Sequence, residues 1–102
     1  MSTGSTQPFR PAGTVSITAT ARAAQIPLAG GGNAVLIYNA GATPVFFRLG
    51  GATGLTATLN DTPVPPGGRM LVGAGPFVSY AAVLVASGSA LVYFTLGDGD
   101  TY

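Results

Sequence analysis

The stretch AVLIYNAGATPVFFRLG, residues 34–50, decides the fold that we predict for this chain. It reads as two β-strands, residues 34–38 and 45–49, because β-branched and aromatic residues fill both arms. Between the arms, residues 39–44 contain the Asn, Gly and Pro that favour a turn. The pattern therefore predicts a central hairpin.

Both faces of this predicted hairpin are apolar. In the first arm, Leu36 and Tyr38 point to the opposite side from the valine and isoleucine beside them. The second arm alternates in the same way and is interrupted only by Arg48. Because a sheet in a small monomer normally leaves one face to solvent, we expect a partner to cover the second face.

The chain carries very little charge. Only 7% of its 102 residues are charged, and the formal net charge is +1, whereas about 25% of an average soluble domain is charged. This composition provides no electrostatic footprint for a nucleic acid or an anionic membrane. A chain of this length forms one domain, and a surface so poor in charge favours association. We therefore expect an associating domain that binds no nucleic acid.

The residues that carry most enzyme chemistry are missing. The sequence has no His, Cys, Lys or Glu, which excludes nucleophilic catalysis with a histidine base. Asp98 and Asp100 lie in a glycine-rich tail that is too mobile to hold a reaction geometry, and with Asp61 they give too few oxygens for calcium. We expect no enzyme activity, metal or cofactor.

Residues 70–97 are uncharged and long enough to span a membrane. Breakers at 73–76 and 87–89 divide this run into pieces of strand length, so we predict strands rather than a transmembrane helix. The first residues lack the apolar core of a signal peptide, and we do not expect secretion by that route.

Alternating and β-rich runs predict about eight short strands and no helix. The clearest run is residues 14–20, where apolar side chains alternate with Thr and Ser. Residues 60–68 read as a turn and a Pro-rich corner, and residues 87–89 as a hairpin turn. The remaining predicted strands, besides the central hairpin, are residues 25–28, 55–59, 69–72, 77–86 and 90–96. The fold class is all-β, a β-sandwich or jelly-roll-like barrel of about eight antiparallel strands over residues 14–102.

Residues 1–13 are rich in Ser, Thr, Gly and Pro and show no periodicity. A frayed terminus is one interpretation. The other, which we favour, is an extended N-terminal arm that packs on a neighbouring subunit. Phe9 would anchor this arm with Arg10 beside it, since the flanking prolines favour an extended path.

Arg48 is the one charged residue in the central hairpin. Two interpretations stay open. Either Arg48 forms an ion pair with Asp61 or Asp98 across a subunit contact, or its stem covers apolar surface while its guanidinium reaches water.

The aromatic side chains lie almost entirely in predicted strands. This placement favours packing in a core or an interface over the exposed aromatic row of a carbohydrate-binding module. We expect Tyr38, Phe46 and Phe94 among the core or oligomer contacts.

The order of strands and turns resembles that of a group of small phage-encoded proteins. The resemblance covers nearly the whole chain from residue 15 to 100 and departs from the pattern at Arg69 and Met70, where a more regular strand is expected. It is carried by the IPL segment at 26–28, by Asn39, Gly41 and Gly50, by the corner with Pro65 and Gly67, and by the closing GDG at 97–99.

The resemblance implies a non-enzymatic virion protein of the capsid decoration (cement) or head-fibre base type. Such a protein would be a β-sandwich homotrimer, made in the host cytoplasm, that stabilises the phage head by bridging subunits of the major capsid protein. It would bind no membrane and no small-molecule substrate. The alternatives are a receptor- or glycan-binding module of a head fibre or tail, and a connector or tail component.

Overall fold

The computed structural model describes residues 9–22, 24–30, 32–51, 56–73 and 78–99. In these ranges it contains β-strands and no helix, and therefore no helix that is long and apolar enough to cross a membrane. The strands in chain order are β1 (Arg10–Thr20), β2 (Ala24–Pro27), β3 (Ala34–Asn39), β4 (Val45–Gly50), β5 (Thr62–Val64), β6 (Arg69–Gly73), β7 (Tyr80–Leu84) and β8 (Ser89–Asp98).

The eight strands form two antiparallel sheets that pack as a sandwich. The front sheet has the order β1-β8-β3-β6, and the back sheet has the order β2-β7-β4-β5. Pairing is nested, because β1 pairs with β8, β2 with β7, β3 with β6 and β4 with β5. This nested order is that of an eight-stranded jelly roll. The predicted all-β fold class is confirmed.

The predicted central hairpin is wrong. β3 belongs to the front sheet and β4 to the back sheet, so residues 40–44 form an arch between sheets. The hairpin predicted around 87–89 is wrong for the same reason, since β7 and β8 lie in opposite sheets. An arch and a hairpin turn use the same small and turn-forming residues, and only the pairing partners distinguish them.

The core lies between the two sheets, and every strand contributes side chains to it, including Val64 from the shortest strand, β5. Phe94 is fully buried there, so of the two places predicted for it the core is correct. The core side chains that are fully buried and largest are Phe94, Ile37, Val35, Val45, Val64, Val83, Val85 and Val92. A layer of this kind stabilises the fold by about 25 cal/mol for each Å² of apolar surface removed from water.

A buried amide holds the arch after β3. The side chain of Asn39 is fully buried, and its Nδ2 donates to the carbonyls of Thr43 (2.8 Å) and Val64 (3.0 Å). Its Oδ1 accepts the N–H of Gly41 at 2.9 Å, and its own N–H donates to the carbonyl of Gly68 at 3.0 Å. One residue therefore ties β3 to the arch, to β5 and to the loop before β6.

Some strand limits differ from those predicted. β1 begins at Arg10 rather than at residue 14, so the predicted boundary of the arm at residue 13 falls inside a paired strand. A register shift between Pro11 and Gly13 accommodates the proline. Residues 1–8 of the predicted arm lie outside the described residues, and the packing of an arm on a neighbour stays a prediction.

The strand predicted at 55–59 is wrong over its described part. Residues 56–61 form a loop and a turn, and the residues predicted as a turn and corner instead supply β5. β5 is an edge strand of the back sheet, which is where a sheet tolerates Pro63. β7 is also shorter than predicted, with its first residue at Tyr80; residues 74–77 lie outside the described ranges.

We expect Asn39→Ala to lower the free energy of unfolding by about 2 kcal/mol or more, because it leaves two carbonyls and one N–H without their partner. Urea unfolding followed by far-UV circular dichroism measures this loss. Asn60→Ala is the matched control; Asn60 is exposed, and its replacement should change the same quantity by less than about 0.5 kcal/mol. Equal effects of the two substitutions would contradict the role assigned to the buried amide.

Candidate functional site

The outer sides of the two sheets differ in how far they are covered. Arg48 and Ala82 are register partners in β4 and β7, so both point to the outer side of the back sheet. Ala82 is nevertheless fully buried, although it is not part of the core cluster. The loop that follows β4 is attached on this side through Asp61. The back sheet is therefore partly closed on its outer side.

Residues 58–61 form a tight turn, which we call the docking turn. The N–H of Asp61 donates to the carbonyl of Thr58 at 3.1 Å, and the N–H of Thr58 donates to Asp61 Oδ2 at 2.7 Å. The N–H of Asn60 donates to Thr58 Oγ1 at 3.2 Å. These three bonds close the turn from both ends and fix its backbone.

Arg48 anchors this turn to the sheet. Its Nε and Nη2 donate to Asp61 Oδ1 at 3.1 and 2.9 Å. The predicted pairing of Arg48 with Asp61 therefore exists, and it is formed within one chain; a contact of Arg48 with a second subunit stays a prediction. The other predicted partner, Asp98, accepts the N–H of Asn33 at 3.1 Å instead. Sequence alone cannot assign a pair to one chain or to two, because the residue chemistry is the same.

Asp61 ionises more readily than an ordinary aspartate. The N–H of Thr58 stabilises its carboxylate most, and Arg48 adds to this effect, so the pKa of Asp61 is lowered. An exposed ion pair contributes little to overall stability. Arg48 therefore matters mainly because it fixes the position of the docking turn relative to the back sheet.

The docking turn displays Leu59, which is 52% exposed and is the most exposed large apolar side chain in the described residues. Its neighbours in the turn have their backbone groups bonded, so Leu59 projects from a fixed support. The sequence interpretation missed this residue because alternation placed it at the end of a strand. The turn signal Asn60-Asp61, immediately after it, was the evidence that could have placed it at a turn.

The outer side of the front sheet, which we call the open face, has no such cover in the described residues. Tyr38 and Tyr93 are register partners in β3 and β8, and each is more than a third exposed. Their rings stack with centroids 6.2 Å apart and an interplanar angle of 24°. A depression of about 820 Å³ surrounds them, lined by Thr14, Leu36, Tyr38, Gly67, Gly68, Arg69, Tyr93 and Thr95.

The residues predicted for partner contacts do not form one site. Phe9 lies against Gly97 of its own chain, and Arg10 is exposed opposite Asp98 at the end of the front sheet. Phe46 is half-buried on the outer side of the back sheet, the same side as Arg48, and Tyr38 belongs to the open face. Apart from Phe94 in the core, contacts of these side chains with a partner stay predictions.

The two surfaces offer apolar, aromatic and hydroxyl groups, which suit binding. Among the described residues, no three acidic, histidine or cysteine side chains converge as metal ligands would. Comparison with known protein families, curated proteins and solved structures finds no match to this chain.

We expect the docking turn to loosen in acid. Because the pKa of Asp61 is lower in the folded turn than in the unfolded chain, the ionised carboxylate stabilises the turn above the ordinary pKa of an aspartate. This stabilisation is lost as the pH falls through the lowered pKa. Nuclear magnetic resonance titration of the Asp61 carboxyl, with hydrogen exchange of the Thr58 amide, follows both events.

Arg48→Met should raise the pKa of Asp61 but leave it below the ordinary value, since the Thr58 N–H still donates to the carboxylate. Arg22→Met, which removes an exposed arginine elsewhere, is the charge-matched control and should leave the titration unchanged. An identical titration curve in Arg48→Met and the unsubstituted protein would show that Arg48 does not fasten the turn.

Proposed function

We propose that this protein is a non-enzymatic structural protein of a phage virion, a capsid decoration (cement) protein that stabilises the head by bridging capsid subunits. The observation that carries the proposal is Leu59, an apolar side chain held out to solvent on a turn whose backbone is fixed. The partner at this turn is the major capsid protein.

A fixed apolar knob is suited to docking because little conformational freedom is lost when it binds. Interface energy concentrates in a few side chains that fill pockets on the partner, and a support that is rigid beforehand reduces the cost of ordering. Burying a leucine side chain contributes about 1.5–3 kcal/mol. A protein present in many copies on one shell needs only a modest affinity per contact.

The charges beside Leu59 also favour docking. Arg48 and Asp61 already satisfy each other at 2.9 Å, so a partner that covers the turn does not have to neutralise either of them. An unpaired charge at this position would be costly to bury. The scarcity of charge in the rest of the chain keeps other surfaces compatible with close packing on a capsid.

We place the protein in a virion because its sequence resembles small phage-encoded proteins and because its fold is also found in viral capsid proteins. Jelly-roll sandwiches occur in viral capsid proteins and also in lectins and cupins, so the fold supports the setting without selecting it. The resemblance also supports a homotrimer on the head surface.

We expect Leu59→Ser to reduce the occupancy of the protein on phage heads about tenfold or more, because a buried leucine is worth at least the free energy of one decade in affinity. Heads of the phage that encodes the chain, produced without it, are incubated with purified protein, and bound copies are counted by quantitative mass spectrometry. Leu91→Ser, an exposed leucine of the front sheet, is the matched control and should bind normally.

Failure of the unsubstituted protein to bind these heads would overturn the proposed function. Normal binding of the Leu59→Ser variant would instead show that the docking turn is not the surface that attaches the protein to the head.

We expect the purified protein to have a native mass close to three chains over a dilution series, measured by light scattering. A ring of six or more chains would favour the connector alternative. A mass of one chain at all concentrations would contradict a trimer that exists before the protein reaches the head.

A further inference from the structure

β1 forms the longest sheet edge in the described residues. It contains 11 residues, and within the described ranges β8 is its only neighbour in the front sheet. Long edge strands are usually protected by charged side chains or prolines. In β1 both kinds of protection stand at the start, as Arg10 and Pro11, and no charged residue follows before Arg22. The rest of the strand is therefore an edge without such protection.

The backbone of β1 points away from β8 at every second residue. The carbonyl of Thr20 accepts the N–H of Val85, which lies outside β8, at 3.0 Å. Along a strand, the backbone groups of residues two apart point to the same side. Thr14, Ser16 and Thr18 therefore direct their N–H and C=O groups away from β8 as well.

The hydrogen bonds of β8 agree with this orientation. The carbonyl of Leu91 accepts the N–H of Ala40 at 2.8 Å, on the side of β3. The next residue, Val92, must then turn its backbone toward β1, where its register partner is Ile17. Ile17 thus bonds to β8, and its neighbour Ser16 points the opposite way.

The core-facing side chains of β1 are incompletely covered. Val15 and Ile17 pack against the core but are only half-buried. Their register partners in β8, Phe94 and Val92, are fully buried. Because these partners lie on the same side of the same sheet, the difference comes from the position of β1 at the edge. A further strand beside β1 would cover this apolar surface.

Both ends of this edge are closed by the same chain. At one end the backbone of Ala29 lies against Gly13, since a Cβ at Gly13 would be 2.9 Å from the carbonyl carbon of Ala29. At the other end the N–H of Val85 occupies the carbonyl of Thr20. The segment between these ends, residues 14–18, is the length of edge that another strand can reach.

This segment is complementary to itself when two copies run antiparallel about Ser16. Thr14 of each copy then faces Thr18 of the other, and each facing pair can exchange two backbone hydrogen bonds. On the core side Val15 faces Ile17 of the second copy, and facing side chains of this kind have Cβ atoms about 5 Å apart. One register therefore satisfies the outward backbone groups and covers the half-buried apolar side chains.

The paired segment brings no charges together, because residues 14–18 contain none. The nearest charges are Arg10 and Arg22, which lie beyond the closed ends. In this register Arg22 of one copy lies toward the same end as Arg10 of the other. Salt screens like charges, so it should strengthen the pairing rather than weaken it.

From these observations we propose that two copies of this protein pair through residues 14–18 of β1, which joins their front sheets into one. The contact has two-fold symmetry, so it is separate from the contact that holds the trimer proposed above and links one trimer to the next. An interface this small is weak and acts between copies that are concentrated or held side by side. It goes beyond attachment to a capsid and does not depend on it.

Introduced cysteines test the register, since the chain has none of its own. The Ser16→Cys variant places two thiols at facing positions, with Cα atoms about 5.5 Å apart, which a disulfide can span. The purified protein is oxidised with glutathione at its highest soluble concentration, and covalent dimers are measured by non-reducing gel electrophoresis. We expect Ser16→Cys to form them at least tenfold faster than Thr14→Cys or Thr18→Cys.

The two slower variants are matched controls, because they lie on the same strand and each faces a threonine. A mixture of Thr14→Cys and Thr18→Cys should instead link about as fast as Ser16→Cys. Equal rates for the three single variants, or a mixture that links no faster than its components, would overturn the proposed register.

Charge substitutions test the pairing without a covalent bond. Ser16→Lys and Ser16→Glu should each remove the rise in native mass that light scattering detects at high concentration, because like charges then face each other. An equal mixture of the two variants should restore this rise. A mixture that behaves as its components do, or an unsubstituted protein whose mass does not rise, would overturn the proposal.

Two further variants locate the contact. In the Ser16→Cys background, Tyr93→Leu changes the open face and leaves the edge intact, so it should link at the same rate. Loss of the link would place the contact on the open face and overturn the role of the β1 edge. Leu59→Ser should also link normally, so that failure on phage heads and failure here are independent results.

Discussion

The apolar layer between the two sheets is the constraint on which the rest of the structure depends. Each strand can give only alternate side chains to this layer, so a strand with two apolar sides must leave one of them outside. The outer side of the back sheet is partly covered by the loop that Asp61 attaches to Arg48. Within the described residues, the outer side of the front sheet has no such cover, and it carries Tyr38 and Tyr93. Tyr38 and Tyr93 therefore belong to the apolar surface that remains outside after one small core has been filled.

The arch that connects the two sheets is a second constraint, because it leaves polar backbone groups inside the molecule that need hydrogen-bond partners. The side-chain amide of Asn39 supplies these partners, since its Nδ2 donates to the carbonyls of Thr43 and Val64. A hydrophobic residue at this position would fill the same volume and leave those carbonyls without partners. Asn39 and Gly41 are also part of the pattern that resembles phage virion proteins. Their place in that pattern thus has a structural reason.

Periodicity predicted the fold class and most strands, because apolar and polar residues alternate along a half-buried strand regardless of which strand pairs with it. Periodicity does not predict which strands pair, so it predicts a hairpin turn at residues 39–44, where the structure has an arch between the sheets. Residue chemistry identified the pairing of Arg48 with Asp61 but not whether it is formed within one chain. Periodicity also missed the exposure of Leu59, because alternation places this residue in a strand and the structure places it in a turn. It missed the stacking of Tyr38 on Tyr93, because that contact depends on the register between two strands that are distant in sequence.

The nested pairing has a consequence for the order in which the molecule can be assembled. β4 and β5 are neighbours along the chain, whereas β1 must pair with β8 across almost the whole sequence. Contacts between distant residues close large loops and form slowly. β8 is also the strand that lies between β1 and β3 in the front sheet. During synthesis the open face therefore cannot exist until this last of the eight strands has left the ribosome, and until then β1 and β3 are exposed edges without the strand that joins them.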